Sequence, residues 1–195
     1  MHLRPVEHPV VFDGNVTREE YGAPSLELTR PAGVALIWLR RDERFVYLAA
    51  LLPDTTGYWG DGLAVSLDTS GDRADGPMHD DFQWDFRRVL DSSVVYRGEM
   101  GRWRAPRDDP DWRMGAEREG GGWEVRSISG ADGWMLELRL DAAWFQQSGA
   151  VQPGLAFRLF DDQGQDWVAW PAVAGRKHPT EIELHPSDWA VIVLD

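Results

Sequence analysis

Strict alternation of apolar and polar side chains is the feature of this sequence that most restricts its fold. In the segment 133–140, every second residue is large and apolar: Trp134, Leu136, Leu138 and Leu140. A period of two residues is typical of a β-strand with one buried face. About ten short segments of β character occur, separated by turn signals rich in Gly, Pro and Asp. The sequence therefore predicts an all-β protein with little helix, and an antiparallel β-sandwich is favoured over a closed barrel.

The length and the tryptophan content indicate a well-packed protein. A chain of 195 residues is long enough for one substantial hydrophobic core, and we expect residues 1–195 to form a single domain. The chain contains 11 Trp, which is far more than usual for its length. Trp38, Trp84, Trp123 and Trp134 alternate within predicted strands, so we expect them in the core. Other Trp side chains are then available for a binding surface.

The charge and the apolar runs exclude several classes of partner. The formal net charge is −13 and the basic residues are scattered, so no positive stripe is available for nucleic acid. No apolar run approaches the length of a membrane span.

The first residues lack the basic stretch and long apolar run of a signal peptide, so the sequence as given predicts a cytoplasmic protein. The absence of Cys excludes disulfides and thiolate-bound zinc.

An acidic loop joins two alternating segments near the middle of the chain. Carboxylates this close together repel one another unless a cation offsets their charge, and calcium prefers oxygen ligands. The spacing does not match an EF-hand loop. A calcium site and a solvated acidic loop are therefore both open interpretations. The loop contains five Asp residues: Asp68, Asp72, Asp75, Asp80 and Asp81.

Two aromatic pairs lie beside polar residues in the sequence. Tyr58 and Trp59 precede Asp61, and Trp167 and Trp170 follow a segment rich in Gln and Asp. A sugar ring packs its C–H groups on an aromatic face, while its hydroxyl groups need polar side chains. Both pairs are therefore candidate sugar platforms. The alternative is that these rings are half-buried and only stabilise their loops.

Motifs of common catalytic sites are missing from the sequence. There is no G-x-S-x-G or H-E-x-x-H motif, and without Cys there is no thiol nucleophile. The five His residues show no metal-ligand spacing. We therefore expect a non-catalytic protein. A pair of carboxylates of the glycosidase kind is the alternative that the sequence leaves open.

Several short motifs follow one another in order over nearly the whole chain. They include Phe12-Asp-Gly14, Val65-Ser-Leu-Asp68, Asp80-Asp-Phe-Gln-Trp84, Gly133-Trp-Met-Leu-Glu137 and Pro153-Gly-Leu-Ala-Phe157. The order of these motifs resembles that of family 9 carbohydrate-binding modules and their DOMON-like relatives. The resemblance implies a β-sandwich of the jelly-roll type that binds sugars between aromatic side chains and carries structural calcium.

The resemblance also implies site residues. Trp59, with the neighbouring Tyr58, would form one sugar platform, and Trp167 with Trp170 would form the second. Members of the family are often exported, in contrast to the missing signal peptide here. The implied calcium ligands are four carboxylates: Asp61, Asp68, Asp72 and Asp75.

Two functions are consistent with these observations. The first is a non-catalytic module that binds a saccharide through exposed Trp side chains, with or without structural calcium. The second is an accessory subunit that docks onto a larger, membrane-associated or soluble, protein assembly and has lost sugar binding. The second stays open because a fold does not dictate a function.

Overall fold

The computed structural model describes residues 1–54, 56, 61–88, 93–104, 122–146, 152–161, 166–172 and 179–194. No helix in these ranges is long and apolar enough to cross a membrane. Short strands make up most of this part of the chain. They are β1 (His2–Pro5), β2 (Leu26–Arg30), β3 (Gly33–Arg41), β4 (Phe45–Pro53), β5 (Gly62–Asp68), β6 (Asp81–Arg87), β7 (Val94–Glu99), β8 (Arg102–Arg104), β9 (Trp123–Ser129), β10 (Gly133–Asp141), β11 (Gly154–Asp161), β12 (Asp166–Trp170), β13 (Ala190–Val191) and β14 (Val193–Leu194).

The strands form two sheets, as the predicted β-sandwich requires. The first sheet has the order β14-β1-β3-β4-β10-β9, with β2 also paired to β3. The second has the order β12-β11-β5-β6-β7-β8, with β13 also paired to β11. Only the pairs of β1 with β14 and β3 are parallel among the described strands, and the other pairs are antiparallel. The predicted all-β fold with antiparallel sheets is therefore confirmed, except that β1 pairs with its neighbours in parallel.

Helical structure among the described residues is limited to segments of at most six residues. Thr17 caps the first α-helical turn, because its Oγ1 accepts a hydrogen bond from the N–H of Glu20 (3.3 Å). Asp141 Oδ1 accepts one from the N–H of Ala143 (2.9 Å) before the second. The turns are α1 (Arg18–Tyr21), α2 (Ala143–Gln146) and two 3₁₀ helices, η1 (Pro179–Leu184) and η2 (Pro186–Asp188).

The main hydrophobic core lies between the two sheets. Leu48 and Leu136 of the first sheet meet Val65, Trp84 and Phe157 of the second, and all five side chains are at most 2% exposed. Burying a side chain of this size stabilises the fold by about 1.5–3 kcal/mol. The four Trp residues that alternation assigned to the interior are all buried: Trp38, Trp84, Trp123 and Trp134.

The N-terminal segment covers the outer face of the first sheet. Val16 and Tyr21 pack there against Trp38 of β3. Glu137 of β10 is also buried on this face, and it accepts hydrogen bonds from the N–H of Gly14 (2.5 Å) and from the hydroxyl group of Tyr21. These contacts make the segment part of the packed structure, so this area of the first sheet is occupied by the chain itself.

The C-terminal 3₁₀ helices cover part of the outer face of the second sheet. Ile182 and Trp189 pack against Ala156 of β11. The rings of Trp103 and Trp189 are parallel within 4°, with 6.3 Å between their centroids. Their indole N–H groups donate to the carbonyls of Glu183 (2.9 Å) and Ile182 (2.7 Å), respectively. Beyond η1, this face carries aromatic and charged side chains.

Candidate functional site

Three carboxylates meet where β5 ends and β6 begins. Asp68 is the last residue of β5 and pairs with Asp81, the first residue of β6. One oxygen atom from each of Asp68, Asp80 and Asp81 lies within 4.8 Å of the other two. Asp68 and Asp81 are completely buried, and Asp80 is half-buried. The hairpin register therefore concentrates negative charge inside the protein.

Main-chain N–H groups satisfy only part of this carboxylate cluster. Asp68 accepts hydrogen bonds from the N–H groups of Gly71 (2.5 Å) and Arg73 (3.2 Å), and Asp81 Oδ2 accepts one from Met78 (2.7 Å). Asp81 Oδ1 and Asp80 Oδ2 are buried and have no hydrogen-bond partner among the described residues. Because a buried, unpartnered carboxylate oxygen is costly, the cluster fits a group that supplies positive charge.

The electrostatics of the cluster also favour a cation. Burial, followed by the charges of Asp68 and Asp80, raises the pKa of Asp81 to about 8, although the N–H of Met78 opposes this shift. Burial raises the pKa of Asp68 as well. His79 Nδ1 lies 3.7 Å from Asp80 Oδ1, but the His79 side chain is 81% exposed, so solvent screens that pair. A hard divalent cation such as calcium matches these oxygen donors.

The other predicted calcium ligands lie outside this cluster. Asp72 and Asp75 are exposed, although the charge of Asp72 contributes to the raised pKa of Asp68. Asp61 is buried next to the opposite end of β5, and its Oδ2 lies 3.2 Å from the Thr56 hydroxyl oxygen. At about 3.3 Å per residue, the length of β5 separates Asp61 from Asp68 by roughly 20 Å. The structure thus groups Asp68 with Asp80 and Asp81, and a ligand role for Asp61, Asp72 or Asp75 stays a prediction.

Sequence reasoning noticed Asp80 and Asp81 in the acidic loop but did not select them as ligands. The signal that would have selected Asp81 is the register of the hairpin. Leu67 on β5 and Phe82 on β6 both belong to the alternating apolar face, and pairing them places Asp68 opposite Asp81. Asp80 then follows as the residue immediately before the strand.

A pair of partly exposed aromatic rings lies on the outer face of the second sheet. Phe160 of β11 is paired with Trp167 of β12, and the two ring centroids are 3.7 Å apart with 34° between the ring planes. The guanidinium carbon of Arg158 lies 4.9 Å from the centroid of Trp167. The structure therefore places one of the predicted platform residues, Trp167, on an aromatic surface. Sequence reasoning missed its partner Phe160.

The other predicted platform, Tyr58 and Trp59, is close in sequence to a strand at the same end of the second sheet. Phe160 is paired with Gly62, the first residue of β5, and Gly62 is paired with Arg87 on its other side. Trp59 is three residues before Gly62 in the sequence. Tyr58 and Trp59 themselves lie outside the described residues, so their assignment as a sugar platform stays a prediction.

Buried polar contacts anchor the chain on both sides of the segment that contains Tyr58 and Trp59. Asp54, just after β4, forms an ion pair with Arg88, just after β6, and both side chains are at most 10% exposed. Thr56 donates to Asp54 Oδ1 through its N–H and its hydroxyl, both at 2.8 Å. The N–H of Arg88 donates to the carbonyl of Asp61 (3.2 Å). These bonds connect the two sheets at this end of the sandwich.

Charged side chains lie on the same face of the second sheet as the Phe160–Trp167 pair. Arg158 donates through Nε to Glu183 Oε1, and both side chains are 11% exposed. Burial raises the pKa of Glu183, although Arg158 opposes this shift. Across the sheet, Arg87 forms an ion pair of 2.9 Å with Asp85. This face therefore offers planar donors and acceptors beside an aromatic surface.

Trp170 lies on the opposite face of its strand from Trp167. The two residues are three positions apart, so strand alternation points their side chains in opposite directions. Trp170 packs against the main core, and its ring centroid is 5.7 Å from that of Phe157. The structure does not bring the rings of Trp167 and Trp170 together on one surface, and a ligand role for Trp170 stays a prediction.

A pocket of about 130 Å³ lies against the first sheet, and its lining includes Arg4, Glu20 and Arg40. Arg40 is buried there and donates hydrogen bonds to the carbonyl of Tyr21 (2.9 Å) and to Ser25 Oγ (2.9 Å). Because these bonds hold the N-terminal segment on β3, Arg40 has a structural role. The aromatic surface of the second sheet is the stronger candidate for ligand binding.

Comparison with known proteins agrees with this architecture. No protein-family model matches the chain, and no curated protein matches it. The chain is similar to the solved structure of a carbohydrate binding module family 9 from Caldicellulosiruptor kristjanssonii in complex with cellotriose, at 17% identity and a TM-score of 0.62, covering 100% of this chain and 94% of that one. The same module in complex with glucose matches at 16% identity and a TM-score of 0.62, covering 100% and 95%. The chain therefore has the fold of a family 9 carbohydrate-binding module.

Proposed function

We propose that this protein is a non-catalytic module that binds a saccharide on the outer face of its second sheet. The partly exposed ring pair of Trp167 and Phe160 carries this proposal. It lies on a face that also presents Arg158 and the Arg87–Asp85 pair. Structures of the same fold bind cellotriose and glucose, and these are the first ligands to test.

The chemistry of the surface suits a sugar ring. The C–H groups of a pyranose pack against an indole face. Its hydroxyl groups accept hydrogen bonds from planar polar side chains and donate hydrogen bonds to them. In our proposal, Trp167 supplies the aromatic face, and the Arg87–Asp85 pair on the same face of the sheet supplies polar groups for the hydroxyl groups. Trp59, which is close in sequence to the strand residue paired with Phe160, is the proposed second platform.

We also propose that calcium binds between Asp68, Asp80 and Asp81. Two buried oxygen atoms that have no hydrogen-bond partner in the described part of the chain support this, since a cation would compensate their negative charge. When bound, calcium would supply positive charge that lets all three carboxylates ionise together. The cluster is at the end of β5 opposite to Gly62 and Phe160, so the ion would act on stability and would not touch the sugar.

Titration calorimetry with cellotriose, run on the wild-type protein and on two variants, tests the saccharide proposal. Trp167→Ala removes the platform, so we expect a loss of at least tenfold in affinity. Ile128→Ala is the control, since Ile128 is 41% exposed on β9 of the other sheet. Wild-type affinity in Trp167→Ala would show that the sugar binds elsewhere. If no tested saccharide binds the wild-type protein, the accessory-subunit hypothesis takes precedence, and co-migration with a larger complex becomes its test.

A further inference from the structure

We propose that the ion pair between Glu183 and Arg158 positions the ring of Trp167. This inference rests on the saccharide site proposed above and adds the residues that hold its aromatic platform in place. Both are positioning residues: Arg158 acts on the ring directly, and Glu183 acts through Arg158. Sequence reasoning assigned a role to neither residue.

Arg158 contacts the Trp167 ring through its planar guanidinium group. Its guanidinium carbon is 4.9 Å from the ring centroid, which is the range of a cation–π contact. Its Nε donates to Glu183 Oε1, and this bond fixes the rotation of the guanidinium plane. Because only 11% of the Arg158 side chain is exposed, solvent does little to weaken the contact.

Glu183 is held rigidly by the segment that carries it. The indole N–H of Trp103 donates to the carbonyl of Glu183 (2.9 Å), and that of Trp189 donates to the neighbouring carbonyl of Ile182 (2.7 Å). Gln83 of β6 also hydrogen-bonds to the Glu183 side chain. The backbone at Glu183 is therefore held from β8 and from Trp189, and its carboxylate is held from β6. Through Arg158 this support reaches the edge strand β12.

The ring of Trp167 needs neighbouring side chains to fix its orientation. It lies on β12, at the edge of the second sheet, and is partly exposed. A ring that is free to rotate loses conformational entropy when a sugar packs on it, whereas a ring fixed beforehand does not. Phe160 and Arg158 both reach it from the neighbouring strand β11. Loss of the ion pair leaves Phe160 as its ring contact among the described residues.

The first sheet contains a matched ion pair that serves as a control. Arg139 pairs with Glu124 (2.7 Å) and lies over the rings of Phe12 (4.5 Å) and Phe45 (4.7 Å). This pair has the same chemistry as the Arg158–Glu183 pair but belongs to the other sheet, far from the proposed saccharide surface. Glu124→Gln therefore controls for the general effect of removing a carboxylate from an aromatic-stacked arginine.

Fluorine NMR of the full chain labelled with fluorotryptophan tests the inference. The resonance lost in Trp167→Phe identifies the Trp167 ring. We expect that resonance to shift or broaden in both Glu183→Gln and Arg158→Lys, because the first loses the ionic bond and the second loses the planar stack. It stays unchanged in Glu124→Gln. An unchanged Trp167 resonance in the two test variants would overturn the inference. If Glu183→Gln does not fold, Arg158→Lys decides by the same criterion.

Cellotriose affinity separates this inference from the proposed function. We expect a three- to tenfold weaker affinity in Glu183→Gln and Arg158→Lys, and wild-type affinity in Glu124→Gln. If the ring moves but cellotriose affinity does not change, the pair does not position a binding residue and the inference fails. If wild-type protein does not bind cellotriose while the Trp167 resonance still responds, the positioning contact stands and the proposed function is what fails.

Discussion

Asp81 lies directly opposite Asp68 in the β5–β6 hairpin, and both carboxylates are completely buried. With Asp80 they form a cluster in which two buried oxygen atoms have no hydrogen-bond partner among the described residues. Two buried carboxylates at adjacent strand ends repel each other when both are ionised. The stability of this hairpin is therefore expected to depend on what neutralises the pair.

Calcium should stabilise the protein through this cluster. A ligand that binds only the folded state at 100 times its dissociation constant adds about 2.7 kcal/mol, which is about 5–10 °C in Tm for a chain of this length. We expect this shift in thermal unfolding of the wild-type protein and its loss in Asp81→Asn. Asp75→Asn, which alters an exposed carboxylate, retains the shift. A lost shift in Asp75→Asn and a normal one in Asp81→Asn would favour the ligands implied by the sequence resemblance instead.

The metal-free protein should become less stable as the pH rises. The pKa of Asp81 is raised by burial from its ordinary value of 3.8 to about 8 in the folded state. Between these values the folded state holds a proton that the unfolded state has lost, so the free energy of unfolding falls by up to about 1.4 kcal/mol per pH unit. Urea unfolding in a calcium chelator, from pH 4 to pH 9, measures this slope. A free energy of unfolding that rises over this range would contradict the assignment, and Asp81→Asn should flatten the slope.

The hydroxyl group of Tyr21 should contribute to stability through Glu137. It donates to a carboxylate that is 1% exposed, and Tyr21→Phe removes this donor while Glu137 stays buried. We expect a loss of about 1–3 kcal/mol in the free energy of unfolding. Tyr47→Phe is the control, since its hydroxyl donates to the more accessible Asp42 (2.8 Å) and its loss should cost less. Chemical unfolding measures both variants. If Tyr21→Phe and Tyr47→Phe lose the same free energy of unfolding, burial of Glu137 does not cause the loss in Tyr21→Phe.

The buried Asp54–Arg88 ion pair should contribute far more to the free energy of unfolding than an exposed ion pair does. Arg88→Ala leaves the buried Asp54 carboxylate without its cation, and breaking a buried pair in this way costs about 3–5 kcal/mol. Arg104→Ala breaks the pair with Glu99, whose side chains are 69% and 48% exposed, and should cost less than about 1 kcal/mol. Chemical unfolding of both variants measures the difference. A small effect of Arg88→Ala would mean that water reaches this end of the sandwich.

Local sequence patterns predicted the fold where alternation was strong. The segment 133–140 became the nine-residue strand β10, which pairs with β4 on one side and β9 on the other. β1 was missed because only Leu3 of its four residues is buried, and its parallel partners are distant in sequence. Such pairing leaves no periodic signal in a four-residue strand.

The candidate sites were predictable only in part. The sequence pattern predicts one sugar platform made of Trp167 and Trp170, but in a strand a spacing of three residues puts the two side chains on opposite faces. Arg158 and Glu183 are 25 positions apart and meet only because η1 crosses the second sheet. No local pattern predicts such a contact. Asp81, in contrast, could have been found from the hairpin register.

The measurement that tests the central claim most directly is a titration of the fluorotryptophan-labelled wild-type protein with cellotriose, followed by fluorine NMR. If the saccharide binds on the outer face of the second sheet, the resonance of Trp167 shifts in a saturable manner, while those of the buried Trp84 and Trp134 do not move. A saturable shift of other resonances with Trp167 unchanged, or no shift at any cellotriose concentration, would contradict the account.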